Sequence, residues 1–241
     1  MEKRTKLKCR PKRKWLRTIV IACVLCLIGG LLMKSEWRVS VIPEKGTADN
    51  VGSDFEEWYI IVVNRWNEIP PDYRVTLTEL SNGQKVDSRI YPYLQEMFDD
   101  ARSGGIYPFV REGYRTTEEQ QVIFDERIRE YIDAGNSEEA ARELTEKWVA
   151  IPGTSEHQLG IAVDINADVS KSASEDVYIW LAENAYQYGF ILRYPQGKED
   201  IIGTAYEPWH YRYVGIEAAR EIYEKGICLE EYIQRRVSNS A

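Results

Sequence analysis

The hydropathy pattern begins with an uncharged apolar run of sixteen residues, Thr18 to Met33. With Trp15 and Leu16 as an interfacial flank, the run approaches the ~20 residues that a helix needs to span a bilayer. Residues 1–17 carry nine Lys and Arg, and the sequence after the run is acidic, which predicts a cytoplasmic N-terminus. No small-residue A-x-A site follows the run, and too few apolar residues precede Cys23 for a lipoprotein signal. We therefore predict a basic cytoplasmic head and an uncleaved transmembrane anchor.

A polar spacer separates this anchor from the rest of the chain. Residues 34–54 mix Gly, Pro and charged residues without periodicity, which is typical of a linker. Residues 55–241 are periodic, and we predict that they form one domain outside the membrane.

Apolar residues recur at helical spacing in five stretches of this domain. The clearest is "TTEEQQVIFDERIREYIDAG", where Thr116 precedes Glu119 by three residues in a capping box and Gly135 ends the pattern. The other helices are predicted over residues 89–102, 137–148, 174–189 and 216–226.

Short segments between the helices have the alternation of β-strands. They are residues 109–115, 160–166, 190–195 and 209–215. Helices interspersed with short strands predict an α+β domain with a small, mainly antiparallel sheet flanked by helices. A content of 44% hydrophobic residues is enough for a substantial core.

Charge and cysteine usage narrow the possible functions. The basic head holds nine of the 31 Lys and Arg and one of the 39 Asp and Glu, so the remainder has a net charge near −16. This balance argues against nucleic-acid binding, which needs a basic face. Three of the four cysteines lie in or before the anchor, leaving Cys228 alone outside it. The domain is therefore expected to be stabilised by packing or metal and not by a disulfide.

Both histidines of the chain lie close to carboxylates. His157 precedes Asp164 by seven residues, and Gly160 between them permits a turn into the strand "GIAVDI". His210 would approach from a distant strand. Catalytic zinc takes three ligands from His and Asp or Glu and keeps one position for water. A half-buried histidine or a turn-capping aspartate would explain each residue alone, but together they predict a metal site.

A carboxylate suited to proton transfer lies close to the second histidine. Glu207 precedes His210 by three residues across Pro208, which marks a bend because proline cannot continue a strand ladder. The bend can place both side chains on one side, so that one holds the metal and the other takes a proton.

These segments resemble a known family. "SEHQLGIAVD" reads as S-x-H-x-x-G-x-A-x-D and "EPWHYRYVG" as E-x-W-H-x-R-Y-V-G. Both are similar to motifs of the VanY-like D-alanyl-D-alanine carboxypeptidases, zinc enzymes of bacterial cell-wall metabolism. Further stretches fit the family in order, so the resemblance covers roughly residues 63–234.

The resemblance implies roles for individual residues. One zinc ion would be held by three ligands, His157, Asp164 and His210. Glu207 would act as general base and later as general acid, and Arg115 of "GYR" would bind the scissile carbonyl oxygen. Gln120 and Ser155 resemble substrate-contacting positions. The helical stretch over residues 128–153 is expected to form one wall of the cleft.

Two features of the "GYR" segment leave alternatives open. The family often has a serine where this chain has Glu112, whose carboxylate would repel a peptide's free carboxylate unless it faces away. Arg115 has an alternative structural role as the ion-pair partner of Glu118 or Glu119.

The implied activity is that of a membrane-anchored D,D-carboxypeptidase that trims D-alanine from peptidoglycan stem peptides. An L,D-carboxypeptidase acting on tetrapeptide stems, or a non-catalytic cell-wall-binding module, remains possible. Glu207 discriminates against the binding module, which has no need of a base. A serine-type peptidase is disfavoured because no S-x-x-K motif occurs. The expected partners are stem peptides and the membrane, with no nucleic acid, and the chain is expected to be a monomer.

Overall fold

The computed structural model describes residues 58–240. The predicted head, anchor and linker lie outside the described residues. The elements in chain order are β1 (Leu77–Glu79), β2 (Lys85–Asp87), α1 (Tyr91–Ser103), β3 (Pro108–Glu112), α2 (Thr117–Asp133), α3 (Glu138–Thr145), β4 (Ala162–Ala167), α4 (Ser174–Asn184), β5 (Phe190–Leu192), α5 (Glu199–Ile202), β6 (His210–Tyr213), α6 (Ile216–Lys225) and α7 (Leu229–Ser240). Over residues 58–240, no helix has the length and apolarity needed to cross a membrane.

A four-stranded antiparallel sheet with the strand order β3-β4-β6-β5 carries the domain. Strands β4 and β6 pair with Asp164 directly opposite His210. The ladder between β3 and β4 shifts register between Val110 and Glu112. Strands β1 and β2 form a separate hairpin, which the sequence did not predict. The sheet and its flanking helices confirm the predicted α+β fold.

The helices begin where the caps predict, but two of them end early. Thr116 and Glu119 form the expected capping box of α2. Helix α3 ends at Thr145, so Trp148 lies beyond it with 47% of its surface exposed. Helix α4 ends at Asn184, and a 3₁₀ turn continues to Gly189, whose φ of 84° lets the chain reverse into β5.

Two apolar clusters pack against the sheet. The larger joins β4, α4 and β5 through Val163, Leu181 and Phe190. The second joins β5, α6 and α7, and it includes Ile222 and Leu229. Helix α7, which the sequence analysis did not predict, is thereby part of the core.

Candidate active site

Three separate elements deliver the predicted ligands to one point. His157 lies on a 3₁₀ turn over Glu156–Leu159, Asp164 lies in the middle of β4, and His210 begins β6. Each offers one ligand atom, and these atoms all lie within 4.8 Å of one another. The structure therefore brings together the three residues that the sequence singled out.

The turn that carries His157 depends on Gly160. Its φ of +72° is a left-handed conformation that side chains disfavour, and a Cβ there would lie 2.9 Å from Val75 Cγ2. The Gly160 carbonyl accepts a hydrogen bond from the Asp87 amide at 2.8 Å, and Tyr73 donates its hydroxyl to the Leu159 carbonyl. The turn is therefore fixed to the β2 segment.

Hydrogen bonds select one ring nitrogen of each histidine. His157 Nδ1 donates to the Gly113 carbonyl at 2.7 Å, which leaves Nε2 as the acceptor, 3.4 Å from Asp164 Oδ1. His210 turns the other way, with Nδ1 3.0 Å from the same oxygen. His157 Nε2, Asp164 Oδ1 and His210 Nδ1 thus converge.

The electrostatics of the trio suit a cation. Burial and then Arg115 lower the pKa of His157 below its ordinary value. Burial would raise the pKa of Asp164, but the two imidazoles outweigh it and hold the pKa well below its usual range. Burial lowers the pKa of His210, but the hydrogen bond to Asp164 and the nearby carboxylate of Glu156 outweigh it and raise the pKa to about 9. Two imidazole nitrogens and one carboxylate are a donor set that fits zinc.

Glu207 lies beside this group, as the bend at Pro208 predicts. Its side chain is buried, and Oε2 lies 3.9 Å from His210 Nδ1. Burial raises the pKa of Glu207 to about 7. A carboxyl group with this pKa gains and loses a proton near neutrality.

Arg115 is held at the edge of the site by Gln120. Arg115 Nη1 donates to Gln120 Oε1 at 2.8 Å, and Gln120 Nε2 donates to the Ala150 carbonyl at 2.7 Å. Arg115 Nε is buried and has no hydrogen-bond partner within residues 58–240. The ion-pair partner of Arg115 is Glu112, with Oε1 3.7 Å from Nε, and not Glu118 or Glu119.

Glu112 therefore faces the site. It stands opposite Asp164 in the β3–β4 ladder, and side chains opposite each other in a sheet project from the same face. Burial raises the pKa of Glu112 above its ordinary value. The carboxylate that departs from the family pattern is thus directed at Arg115.

A cleft of about 380 Å³ opens over the three predicted ligands, Glu207 and Arg115. Every site residue predicted from the sequence lines it, including Ser155, which is buried. One wall comes from α2 and the segment after α3, through Ile123, Arg127 and Trp148. The predicted wall over residues 128–153 thus begins slightly too late in the sequence.

Sequence reasoning missed a buried charged network behind the site. Glu156, Arg193 and Arg212 have almost no exposed surface, and they are joined by ion pairs. The available signal was an arginine inside each of the strand-like segments "FILRYP" and "WHYRYVG", where an apolar residue is expected.

Comparison with known proteins identifies the family of this fold and site. Residues 83–216 match the family model VanY, described as D-alanyl-D-alanine carboxypeptidase. The chain belongs to this family, which confirms the resemblance read from its motifs.

Particular relatives are also similar. A D-alanyl-D-alanine carboxypeptidase of Enterococcus faecalis is 58% identical over 180 residues, which are 75% of this chain and 67% of the relative. A crystal structure of the vancomycin resistance D,D-pentapeptidase VanY from a VanB-type cassette, a mutant in complex with Zn(II), is 58% identical with a TM-score of 0.72. The aligned region covers 73% of this chain and 99% of the VanY chain. The structure of the LD-carboxypeptidase LdcB is 35% identical with a TM-score of 0.59. The aligned region covers 74% of this chain and 87% of the LdcB chain.

Proposed function

We propose that the chain is a zinc-dependent D,D-carboxypeptidase that removes the terminal D-alanine from peptidoglycan stem peptides ending in D-Ala-D-Ala. The observation that carries this proposal is the convergence of three ligand atoms within 4.8 Å beside the buried carboxyl of Glu207. The name of the Enterococcus faecalis relative supports the substrate, and the Zn(II) complex of VanY supports the metal.

The three converging residues would hold the metal through His157 Nε2, Asp164 Oδ1 and His210 Nδ1. Bound there, zinc supplies a Lewis acid that polarises a carbonyl and makes water reactive at neutral pH. Asp164 would keep its negative charge at working pH, since its pKa lies far below neutrality.

Glu207 would carry the proton through the reaction. Its carboxylate would accept a proton from the attacking water and later return it to the amine of the departing D-alanine. Burial supports this role, because it raises the pKa of Glu207 to about 7 and so favours transfer in both directions.

Arg115 would neutralise the negative charge that develops on the scissile carbonyl oxygen. Gln120 fixes its guanidinium through Nη1, and Arg115 lines the cleft in which a substrate would bind. Fixed donors of this kind stabilise the transition state without reorganising during the reaction. Gln120 and Ser155 line the same cleft and would contact the peptide.

An L,D-carboxypeptidase acting on tetrapeptide stems is the second candidate. The similarity to LdcB, which is named an LD-carboxypeptidase, favours it. A non-catalytic cell-wall-binding module is less consistent with Glu207, because binding alone requires no buried proton carrier.

We also propose that residues 18–33 anchor the enzyme in the membrane and that residues 55–241 lie outside it. We propose further that the enzyme acts as a monomer. The support is the sequence pattern: an apolar run preceded by nine basic residues and followed by an acidic chain.

The proposal is tested by incubating the purified full chain with pentapeptide and tetrapeptide stems and measuring released D-alanine. We expect release from the pentapeptide, loss of activity with a chelator, and recovery on adding zinc. Release from the tetrapeptide alone would select the second candidate, and activity that survives complete metal removal would contradict the metal site.

A further inference from the structure

The residue before the first histidine ligand is a buried glutamate that is not one of the three ligands. Glu156 Oε1 accepts a hydrogen bond from Arg193 Nε at 2.7 Å and lies 3.0 Å from Arg212 Nη1. All three side chains have no exposed surface. Burial would raise the pKa of Glu156, but the two arginines outweigh it and hold the pKa well below its usual range. Two buried guanidinium groups thus face one oxygen of the Glu156 carboxylate.

The second oxygen of this carboxylate faces the second histidine ligand. Glu156 Oε2 lies 3.6 Å from His210 Nε2, and within residues 58–240 neither atom has a hydrogen-bond partner. Buried polar atoms are rarely left without partners, so two such atoms facing each other require an explanation. A proton on Nε2 directed at this carboxylate would leave the lone pair of Nδ1 pointing toward Asp164 and the metal position.

The network continues from Glu156 to the last helix of the domain. Arg193 donates through Nη1 and Nη2 to the two oxygens of Glu230 on α7, at 3.0 and 2.6 Å. Asn64 Nδ2 donates to Glu230 Oε1 at 3.1 Å. The guanidinium of Arg193 thus joins Glu230 to Glu156.

The network is not explained by stability alone. A buried ion pair often stabilises a protein no better than apolar residues of the same volume, because the charges lose their hydration. A charged network does hold each of its side chains in one orientation. Here the last side chain of the network, Glu156, faces the imidazole of the metal ligand His210.

We propose that Glu156 is a positioning residue for His210, and that Glu230 keeps Glu156 in place through Arg193. Helix α7 is then part of the metal site although it contributes no ligand. The inference rests on the proposed function, since it assumes that the three ligands bind a metal.

The test uses the full chain and three glutamate-to-glutamine variants. Glu156→Gln and Glu230→Gln remove the two network charges. Glu231→Gln is the matched control, because Glu231 follows on the same helix and pairs with Lys198 outside the network. The readouts are zinc affinity by competition with a chromophoric chelator, the visible spectrum of the Co(II)-substituted protein, and circular dichroism to verify folding.

We expect Glu156→Gln to bind zinc ~10- to 100-fold more weakly, with an altered Co(II) spectrum. Glu230→Gln should weaken binding less, and Glu231→Gln should match the wild type. The double variant should lose less affinity than the product of the two single losses, since both act through one path.

Wild-type affinity and an unchanged Co(II) spectrum in a folded Glu156→Gln would overturn the inference. If that variant does not fold, Glu230→Gln decides, and wild-type behaviour there would overturn the link to α7. The link to α7 would also be overturned if the loss of zinc affinity in the double variant equalled the product of the two single losses. Zinc binding and D-alanine release by the wild type are measured first, because their absence would refute the proposed function itself.

Discussion

The two histidines use different ring nitrogens because their surroundings differ. The Gly113 carbonyl accepts a hydrogen bond from Nδ1 of His157, whereas the carboxylate of Glu156 faces Nε2 of His210. Each ring therefore directs its remaining nitrogen at Asp164. For each imidazole, the group that contacts one ring nitrogen thus determines which nitrogen remains to bind a metal.

Replacing Glu207 by glutamine tests the proton-carrier role. An amide cannot accept a proton and return it, so we expect D-alanine release from the pentapeptide to fall by ~10²- to 10⁴-fold. Zinc affinity should change little, because Glu207 is not among the three ligands. Steady-state kinetics and a zinc competition assay measure the two quantities. Glu118→Gln, on the exposed start of α2, should behave as the wild type. A rate near that of the wild type in the Glu207 variant would contradict the assigned role.

The sequence predicted the residues of the site better than their orientation. His157, Asp164 and His210 stand out because histidine is rare in this chain and its motifs are distinctive. The choice of ring nitrogen depends on Gly113 and Glu156, which become neighbours only when the chain folds. The partner of Arg115 was missed for the same reason, because the bend after β3 brings Glu112 to it.

Among the elements, the 3₁₀ turn before β4 determines where His157 lies. Helices α2 and α6 could be predicted because caps and period mark them clearly. Strands β1 and β2 are three residues each, too short to display alternation. Helix α7 was missed because its apolar positions, such as Leu229 and Ile233, are outnumbered by polar residues.

Substituting Gly160 by alanine tests the dependence of the site on this turn. The left-handed conformation should cost about 1–2 kcal/mol of unfolding free energy. The contact with Val75 should add about 1–3 kcal/mol, since a buried methyl group would overpack the turn. Urea denaturation measures the loss, and zinc competition should show weaker binding because His157 is displaced.

Gly226→Ala is the matched control for this substitution. Gly226 has a φ of +59°, and a Cβ there would meet no atom within 4 Å. We expect the conformational cost alone, with zinc affinity unchanged. Equal effects of the two substitutions on zinc affinity would refute the role of the turn.

For the molecule as a whole, a metal would connect parts that no disulfide joins. Cys228 is buried and free in the described part of the chain. The three ligands come from a turn and two strands, spread over residues 157–210. A bound ion is therefore expected to stabilise the entire domain and not only the cleft.

Zinc should raise the thermal unfolding temperature of the protein in a pH-dependent way. At a free concentration of 100 Kd the stabilisation is about 2.7 kcal/mol. His210, with a pKa raised to about 9, must lose a proton to bind metal, so zinc affinity should fall ~tenfold per pH unit below 9. Scanning calorimetry at fixed zinc should therefore show a larger temperature gain at pH 8 than at pH 6.5. A gain independent of pH would contradict the protonation assigned to His210.

The pairing of Asp164 with His210 across β4 and β6 has a consequence for folding quality. Adjacent residues of a strand project to opposite faces, so sliding β6 by one position would turn the imidazole away from the aspartate. A misaligned molecule would have two ligands at most and would retain zinc poorly. The fraction of molecules that keep the ion through dialysis thus counts those whose strands are correctly aligned.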